Sequence, residues 1–255
     1  GSEMCIRDRQ YAYQKSEGTR YGEFYGYIAE GYFQSEEEIK KSPRQMRELA
    51  PGDIKYKDLN DDGVIDANDQ CYLGKSWFPS WSYGMGFNIN YHNFDLALFF
   101  QGVSDVSIMA NGGSIDTGNG DWGASGVGIV PFTGMGLNPS NVITKALDRW
   151  TADNPRADAW YPRMTANATT NDNNYVNSTH WLKDGSYLRL KQASLGYTLE
   201  NKKLMDKGIE YLYFYLSGQN LLTFSKFKLW DPELGSNGAK YPLSRMVTLG
   251  MRVSF

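Results

Sequence analysis

The sequence predicts an all-β, antiparallel fold, and three observations carry that reading. Its 255 residues include 18 Tyr, 12 Phe, 7 Trp and 27 Gly against only 9 Pro, a mixture that favours strands and turns over helices. Tyr83, Met85, Phe87, Ile89 and Tyr91 alternate with Gly84, Gly86, Asn88 and Asn90, so one face of a strand is apolar and the other small or amide-bearing. Several such segments run to roughly 10 residues or more, where soluble strands average about 5–6 and bilayer-spanning strands need about 9–11. Length therefore favours a piece of a transmembrane β-barrel. A soluble β-sandwich also alternates and stands as the second reading.

Composition narrows the partners. Lys plus Arg number 26 and Asp plus Glu 29, a net charge of −3, so the basic excess that nucleic acid demands is missing. No apolar run of about 18 residues occurs, which excludes a spanning helix and leaves a spanning barrel open. Mean hydropathy of −0.53 does not decide between these, because lumen-facing residues of a barrel are polar. Cys5 and Cys71 are too few for a disulfide framework or a thiolate metal site. Residues 1–9, GSEMCIRDR, lack any periodicity or signal-peptide core and resemble translated sequencing-adaptor sequence. They are set aside as non-native, residues 10–255 are taken as the domain, and the chain is expected to begin in mid-protein.

The elements follow in order. Gly22–Gln34, rich in aromatics and glycine, reads as a strand. Ser35 three residues before Glu38 is a capping box, opening a short helix to about Lys41 that Pro43 stops. Tyr83–Tyr91 and Phe94–Val103, joined by His92-Asn93, form a long hairpin. Residues 104–184 are dominated by Gly, Asn, Asp and Ser and read as an elaborate loop with one helix near Asn141–Trp150. Ser186–Leu199, Glu210–Phe224 and Leu243–Phe255 are three further strands, the last placing Val247, Leu249, Met251, Val253 and Phe255 on one face.

One motif carries chemistry. Within residues 53–70, Asp58 to Asp69 matches the twelve-residue calcium loop D-x-N-x-D-G-x-I-D-x-x-D. Calcium takes six to eight hard oxygens, so Asp58, Asn60 and Asp62 would give side-chain oxygens, Val64 its carbonyl, Asp66 a direct or water-mediated contact and Asp69 the closing carboxylate. Gly63 permits the sharp turn and Ile65 would anchor the loop. Asp in place of Glu at the last position, with strand-like flanks, points to a structural ion instead of a helix-pair sensor; an Asp/Asn-rich turn without metal is the plainer alternative. Gly118–Gly123 satisfies G-x-G-x-x-G but lies between no strand and helix, so it is a decoy. His92 and His180 have no partner His or Cys nearby in sequence, and no nucleophile motif occurs, so the chain is not expected to be an enzyme. Asn167-Ala168-Thr169 and Asn177-Ser178-Thr179 have the form of glycosylation sequons, inert in a bacterial chain. Trp122, Trp150, Trp160, Tyr161 and Trp181 in the long segment are read as packing residues before sugar-stacking ones.

Four stretches, GEFYGYIAEGYFQSEEEI, PGDIKYKDLNDDGVIDANDQ, DGSYLRLKQASLGYTL and YLSGQNLLTF with YPLSR and the terminal VSF, resemble the C-terminal part of SusC/RagA-family TonB-linked outer-membrane proteins of Bacteroidota. The resemblance runs from about Gly22 to Phe255. It implies about six strands of a 22-stranded barrel in the Gram-negative outer membrane, in contact with outer-membrane lipid, a plug domain outside this chain, import of a glycan or peptide substrate with a SusD-like surface lipoprotein, and energy from a TonB complex. Family orientation then places the calcium loop and residues 104–184 outside the cell, and His92-Asn93 and Glu200–Ile209 in the periplasm. A fragment of this size is not expected to transport alone. The alternative is a secreted, calcium-stabilised β-sandwich that binds carbohydrate.

Overall fold

The computed structural model describes residues 11–111, 144–164, 173–236, 238 and 241–255. In chain order its strands are β1 (Glu23–Gly26), β2 (Ala29–Tyr32), β3 (Ile54–Tyr56), β4 (Cys71–Ser76), β5 (Trp81–Tyr91), β6 (Phe94–Ser104), β7 (Ser107–Met109), β8 (Leu182–Asp184), β9 (Tyr187–Leu199), β10 (Tyr211–Ser225) and β11 (Met246–Ser254). The helices are α1 (Glu36–Lys41) and α2 (Lys202–Met205). Two compact units emerge: Pro79–Val106, Asp184–Glu233 and Tyr241–Phe255 form one, the remainder the other.

The first unit is a single antiparallel sheet in the order β11-β10-β9-β6-β5. Its strands carry 11, 11, 13, 15 and 9 residues from β5 to β11, the lengths that alternation predicts. The β5–β6 hairpin turns at His92, whose φ of 52° is left-handed. A two-residue turn joins β5 to β6 and an eleven-residue connection containing α2 joins β9 to β10 at one end of the sheet, and the longer connections after β6 and β10 leave from the other end. Phe87 and Leu249 are 50% and 79% exposed, and no second layer covers them among the described residues, so the sandwich reading has no support in this unit.

Among the described residues five strands make up the sheet, where about six were expected. The expected Gly22–Gln34 strand divides into β1, paired with β4, and β2, paired with β3. The reason is local. Between them the amide of Tyr27 donates to Asn177 O at 2.9 Å and its carbonyl accepts from Thr179 N at 3.0 Å, so a distant segment captures the backbone there. Gly26 permits that approach: a Cβ on it would stand 2.3 Å from Asn177 O.

The second unit has an aromatic core in which Tyr27, Tyr32, Ile54, Tyr56 and Ile65 meet Trp150, Tyr161 and Trp181. Packing is thus the fate of those aromatics of the long segment that are described. Trp122, Gly118–Gly123, the 167–169 sequon and the first three residues of the helix expected near Asn141–Trp150 lie outside the described residues, and the described part of that stretch holds a 3-10 turn at Thr144–Leu147. α1 forms as its cap predicts, Glu38 N donating to Ser35 Oγ at 3.3 Å, although the Glu38 carboxylate reaches back to Gln34 N. A polar network pins the core. Asp53, fully buried, accepts from Arg163 Nε and Nη2 at 3.0 and 2.9 Å, from Asn174 Nδ2 at 2.8 Å and from Ala50 N at 2.8 Å. Gln45 and Asn174 use their side-chain amides as substitute strands along β3, pairing with backbone of Ile54 and Tyr56.

Replacing Arg163 by Met would strand the Asp53 carboxylate. Because Arg163 keeps a quarter of its side chain in water, the cost should fall at the lower end of about 3–5 kcal/mol. Limited proteolysis near residues 45–60 reads it, and the Asp53→Asn/Arg163→Met double variant should recover part of the resistance.

Candidate functional site

Two features hold the chemistry: the loop between β3 and β4, and the apolar face of the large sheet. In the loop, Asp58 sits inside the bend, Oδ1 accepting from Asp61 N at 2.7 Å and Oδ2 from Gly63 N at 2.8 Å. Asn60 Oδ1 accepts from Asp62 N at 3.1 Å, Asn60 Nδ2 donates to Asp62 Oδ2 at 2.8 Å, and Asp62 Oδ1 accepts from Val64 N at 2.9 Å. Asp69, wholly buried, ties the loop's ends together, Oδ1 accepting from Leu59 N and Oδ2 from Asp66 N. Asp66 caps the 3-10 turn Ala67–Asp69. Gly63 adopts the left-handed φ of 82° the motif requires, and Asp61 does so too at 58°. Ile65 is 1% exposed in the core while its amide donates to Arg44 O at 2.8 Å, so it anchors the loop as its spacing predicts.

The loop is negatively charged toward its surroundings. Tyr13, whose hydroxyl donates to Asn68 O at 2.9 Å, has its phenol pushed up to about 12, first by desolvation and then by Tyr11, Asp69 and Asp58. All the donors are hard oxygens, which suits calcium. The carboxylates of Asp58, Asp62, Asp66 and Asp69 nonetheless each accept from a backbone amide, and among the described residues no three His, Cys, Asp or Glu side chains are gathered closely enough to hold an ion.

On the large sheet, register lines up five apolar rows. Tyr91, Phe94, Tyr197, Phe214 and Met251 form one end row. Ile89, Leu96, Leu195, Leu216 and Leu249 come next, then Phe87, Leu98, Ala193, Gly218 and Val247. Bulges in β9 and β10 keep the face aligned through Met85, Phe100, Leu190 and Leu222 and through Tyr83, Gly102, Leu188 and Phe224. Trp81 lies beyond. Aromatic side chains thus mark both ends, and Phe94 and Tyr197 touch with ring centroids 4.7 Å apart. Ten residue steps from Tyr91 to Trp81 cover about 34 Å along the strand, or about 26 Å in height at a tilt of about 40°. The opposite face carries Asn88, Asp95, Gln101, Gln192, Ser194, Ser217, Thr248 and Arg252, with Phe99 lying over Gly84.

Such a one-layer sheet, apolar on one side and polar on the other, has the architecture of an unclosed β-barrel wall. Its relatives say which kind. The chain is 30% identical over 241 residues to the TonB-dependent receptor P26 of Formosa agariphila, covering 88% of this chain and 22% of that protein. It is 28% identical over 255 residues to the TonB-dependent receptor P3 of the same organism, again covering 22% of it. The chain therefore spans about a fifth of the length of the curated relatives it matches. Among solved structures, the RagAB peptide importer in its open-open state superposes with a TM-score of 0.60 at 23% identity, over 91% of this chain and 22% of that one. The RagAB peptide transporter gives 0.61 at 22%, over 91% and 23%. No family model matches. These findings bear out the SusC/RagA resemblance: over most of its length the chain is similar to one stretch of TonB-dependent receptors, and it shares the fold of the matching part of RagAB. Relatives and neighbours are named as receptors, importers and transporters.

The two histidines part ways. His92 is exposed in the β5–β6 turn against the Tyr91 ring, whereas His180 is packed edge-on against Trp181 at 4.7 Å and Tyr32 at 5.5 Å. His180 Nε2 lies 3.2 Å from Trp160 O and 3.4 Å from Tyr32 Oη. Burial pushes its imidazole down to about 4, with the Lys183 ammonium adding to the effect. The unfolded value is near 6.5, so the unfolded chain binds the proton more readily. Stability is therefore complete above about pH 6.5 and should fall by roughly 2–4 kcal/mol on acidification toward pH 4. Proteolysis within residues 144–183 should accelerate across that window, and His180→Gln should flatten the dependence.

Proposed function

We propose that this chain is part of an outer-membrane TonB-dependent transporter that imports oligosaccharides or peptides with a SusD-like surface lipoprotein, energised through a TonB complex. The observation that carries the reading is the unbroken apolar face of the large sheet, with aromatic ends and the height of a bilayer's apolar band, about 25 Å. It faces lipid, and the amide- and hydroxyl-bearing face looks into a hydrated lumen. Five strands are too few to enclose such a lumen, and open edges are untenable in lipid, so β5 and β11 pair with strands outside this chain. With the shorter connections at one end and the longer ones at the other, the end with the shorter connections is periplasmic and the Asp58–Asp69 loop and residues 104–184 are extracellular.

The loop, in this reading, takes a structural calcium ion on Asp58, Asn60, Asp62, the Val64 carbonyl, Asp66 and Asp69. Its support is the oxygen-only donor set and the left-handed turn at Gly63, beside the anchoring of Ile65. Binding would neutralise clustered charge and stiffen the loop. Adding EGTA to the receptor that carries this chain should speed cleavage within residues 57–70, and calcium but not magnesium should reverse it; Asp58→Asn should show the fast rate in either condition.

Val247, in the middle row, tests the membrane reading. Val247→Arg places a charge near the bilayer midplane, a cost of about 2–4 kcal/mol, and should sharply reduce receptor assembled in the outer membrane. Thr248→Arg, one residue on and facing the other way, should assemble normally. Equal behaviour of the two variants would refute a lipid-facing sheet.

A further inference from the structure

On the polar face of the large sheet, β9 carries a cation that is almost entirely enclosed. Arg189 is 1% exposed. Its Nη2 donates to Asp231 Oδ1 at 2.5 Å, its Nη1 stands 3.2 Å from Glu233 Oε2, and its guanidinium lies over the Tyr187 ring at 5.5 Å. Lys191 Nζ reaches the same Glu233 carboxylate at 3.2 and 3.4 Å. Both acids belong to Lys226–Glu233, the stretch that follows β10. That stretch is otherwise held by side chains: Phe227 is buried with Trp230 edge-on at 4.6 Å, and Ser225 Oγ accepts from Phe227 N. Arg189 Nε is buried with no acceptor among the described residues.

A guanidinium buried on a β-sheet wall is costly unless its donors are met, and hydrophobic replacements of such pairs are often neutral or stabilising. Here two acids from one short strap meet part of the need and leave Nε open. Fork-shaped guanidinium donors beside an ammonium match carboxylates specifically. The present occupants are themselves carboxylates on an extended piece of chain, which is what an acidic peptide would present.

We propose that Arg189 and Lys191 form a carboxylate-binding site on the polar wall, filled in this state by the chain's own Asp231 and Glu233 as an internal competitor. An acidic peptide binds by displacing the strap, its carboxylates taking the same donors and the open Nε. The placement of the site in the lumen rests on the import reading above; the exchange of carboxylates does not.

Hydrogen exchange on the full receptor in detergent tests it. Triglutamate should raise exchange of the amides of residues 226–233 in a saturable way while β9 and β10 stay protected, and trialanine should not. Asp231→Asn/Glu233→Gln should raise strap exchange about tenfold or more with no peptide present, and should bind triglutamate more tightly than the parent. Unchanged strap exchange in that variant, equal effects of the two peptides, or loosening that spreads to β9 and β10 would each overturn the proposal. None of these outcomes depends on transport, so failure of the lipid-facing reading on which the import proposal stands, seen as normal assembly of Val247→Arg, remains separately visible.

Discussion

A sheet that turns Phe87, Ile89, Leu216, Leu249 and Met251 outward from a single layer imposes the constraint from which the rest follows. Burying one such side chain contributes roughly 1.5–3 kcal/mol. Five of them left in water would forgo an amount comparable to the whole stability of an ordinary domain, about 5–15 kcal/mol. The face therefore needs an apolar cover that extends across all five strands, and the bilayer proposed here supplies it without a second protein layer. Strand period does the sorting. Because side chains alternate strictly, a slip of one residue would exchange the apolar rows for Asn, Ser and Thr, so lipid on one side and water on the other hold the register from both directions. The bulges in β9 and β10 fit that logic: they restore the alignment of Leu190 and Leu222 with the rows below.

On the polar wall, small and large residues interlock across strands. Tyr213 lies over Gly196 while its hydroxyl donates to Asp95 at 2.9 Å, and a Cβ on Gly196 would stand 2.2 Å from that oxygen. Tyr215 similarly covers Gly250. The glycines that look merely permissive in sequence are here the floor on which tyrosines lie, which keeps a wall built of polar side chains smooth and densely packed. Arg189 with its two acids belongs to the same wall, and there a buried charge is answered by a segment outside the strands.

How much of this could be read from the sequence depends on whether the physics is periodic or contact-based. β5, β6, β9, β10 and β11 were legible because a period of two repeats over nine or more residues and every repeat adds signal. The cap at Ser35 and the turn at Gly63 were legible because each is a local rule. The fate of Gly22–Gln34 was not: its composition suits a strand, but Tyr27 is claimed by residues some 150 positions away, and only Gly26 hints that another backbone comes close. Nor was the second unit visible as a unit. Residues 104–184 look like loop by composition, yet Trp150, Tyr161 and Trp181 share a core with Tyr32 and Ile54. The aromatic count was the signal, since so many Trp and Tyr residues in a long segment need a common interior.

The calcium-type loop shows where motif and geometry separate. Asp58, Asn60, Asp62, Asp66 and Asp69 occupy the ligand positions, and every one of them accepts a hydrogen bond from a backbone amide of the loop itself. Amide donors set the chain's path, since the Asx turns at Asp58, Asn60 and Asp62 bend it into the loop before any cation is considered. A cation would then have to draw these side-chain oxygens together as well as neutralise their charge. The carboxylates held on one small loop repel one another, and their field already extends to the Tyr13 phenol. Cation binding at such a loop stabilises by removing that repulsion, so its effect should concentrate where charge is dense and fade at Ile65, which the aromatic core already holds in place.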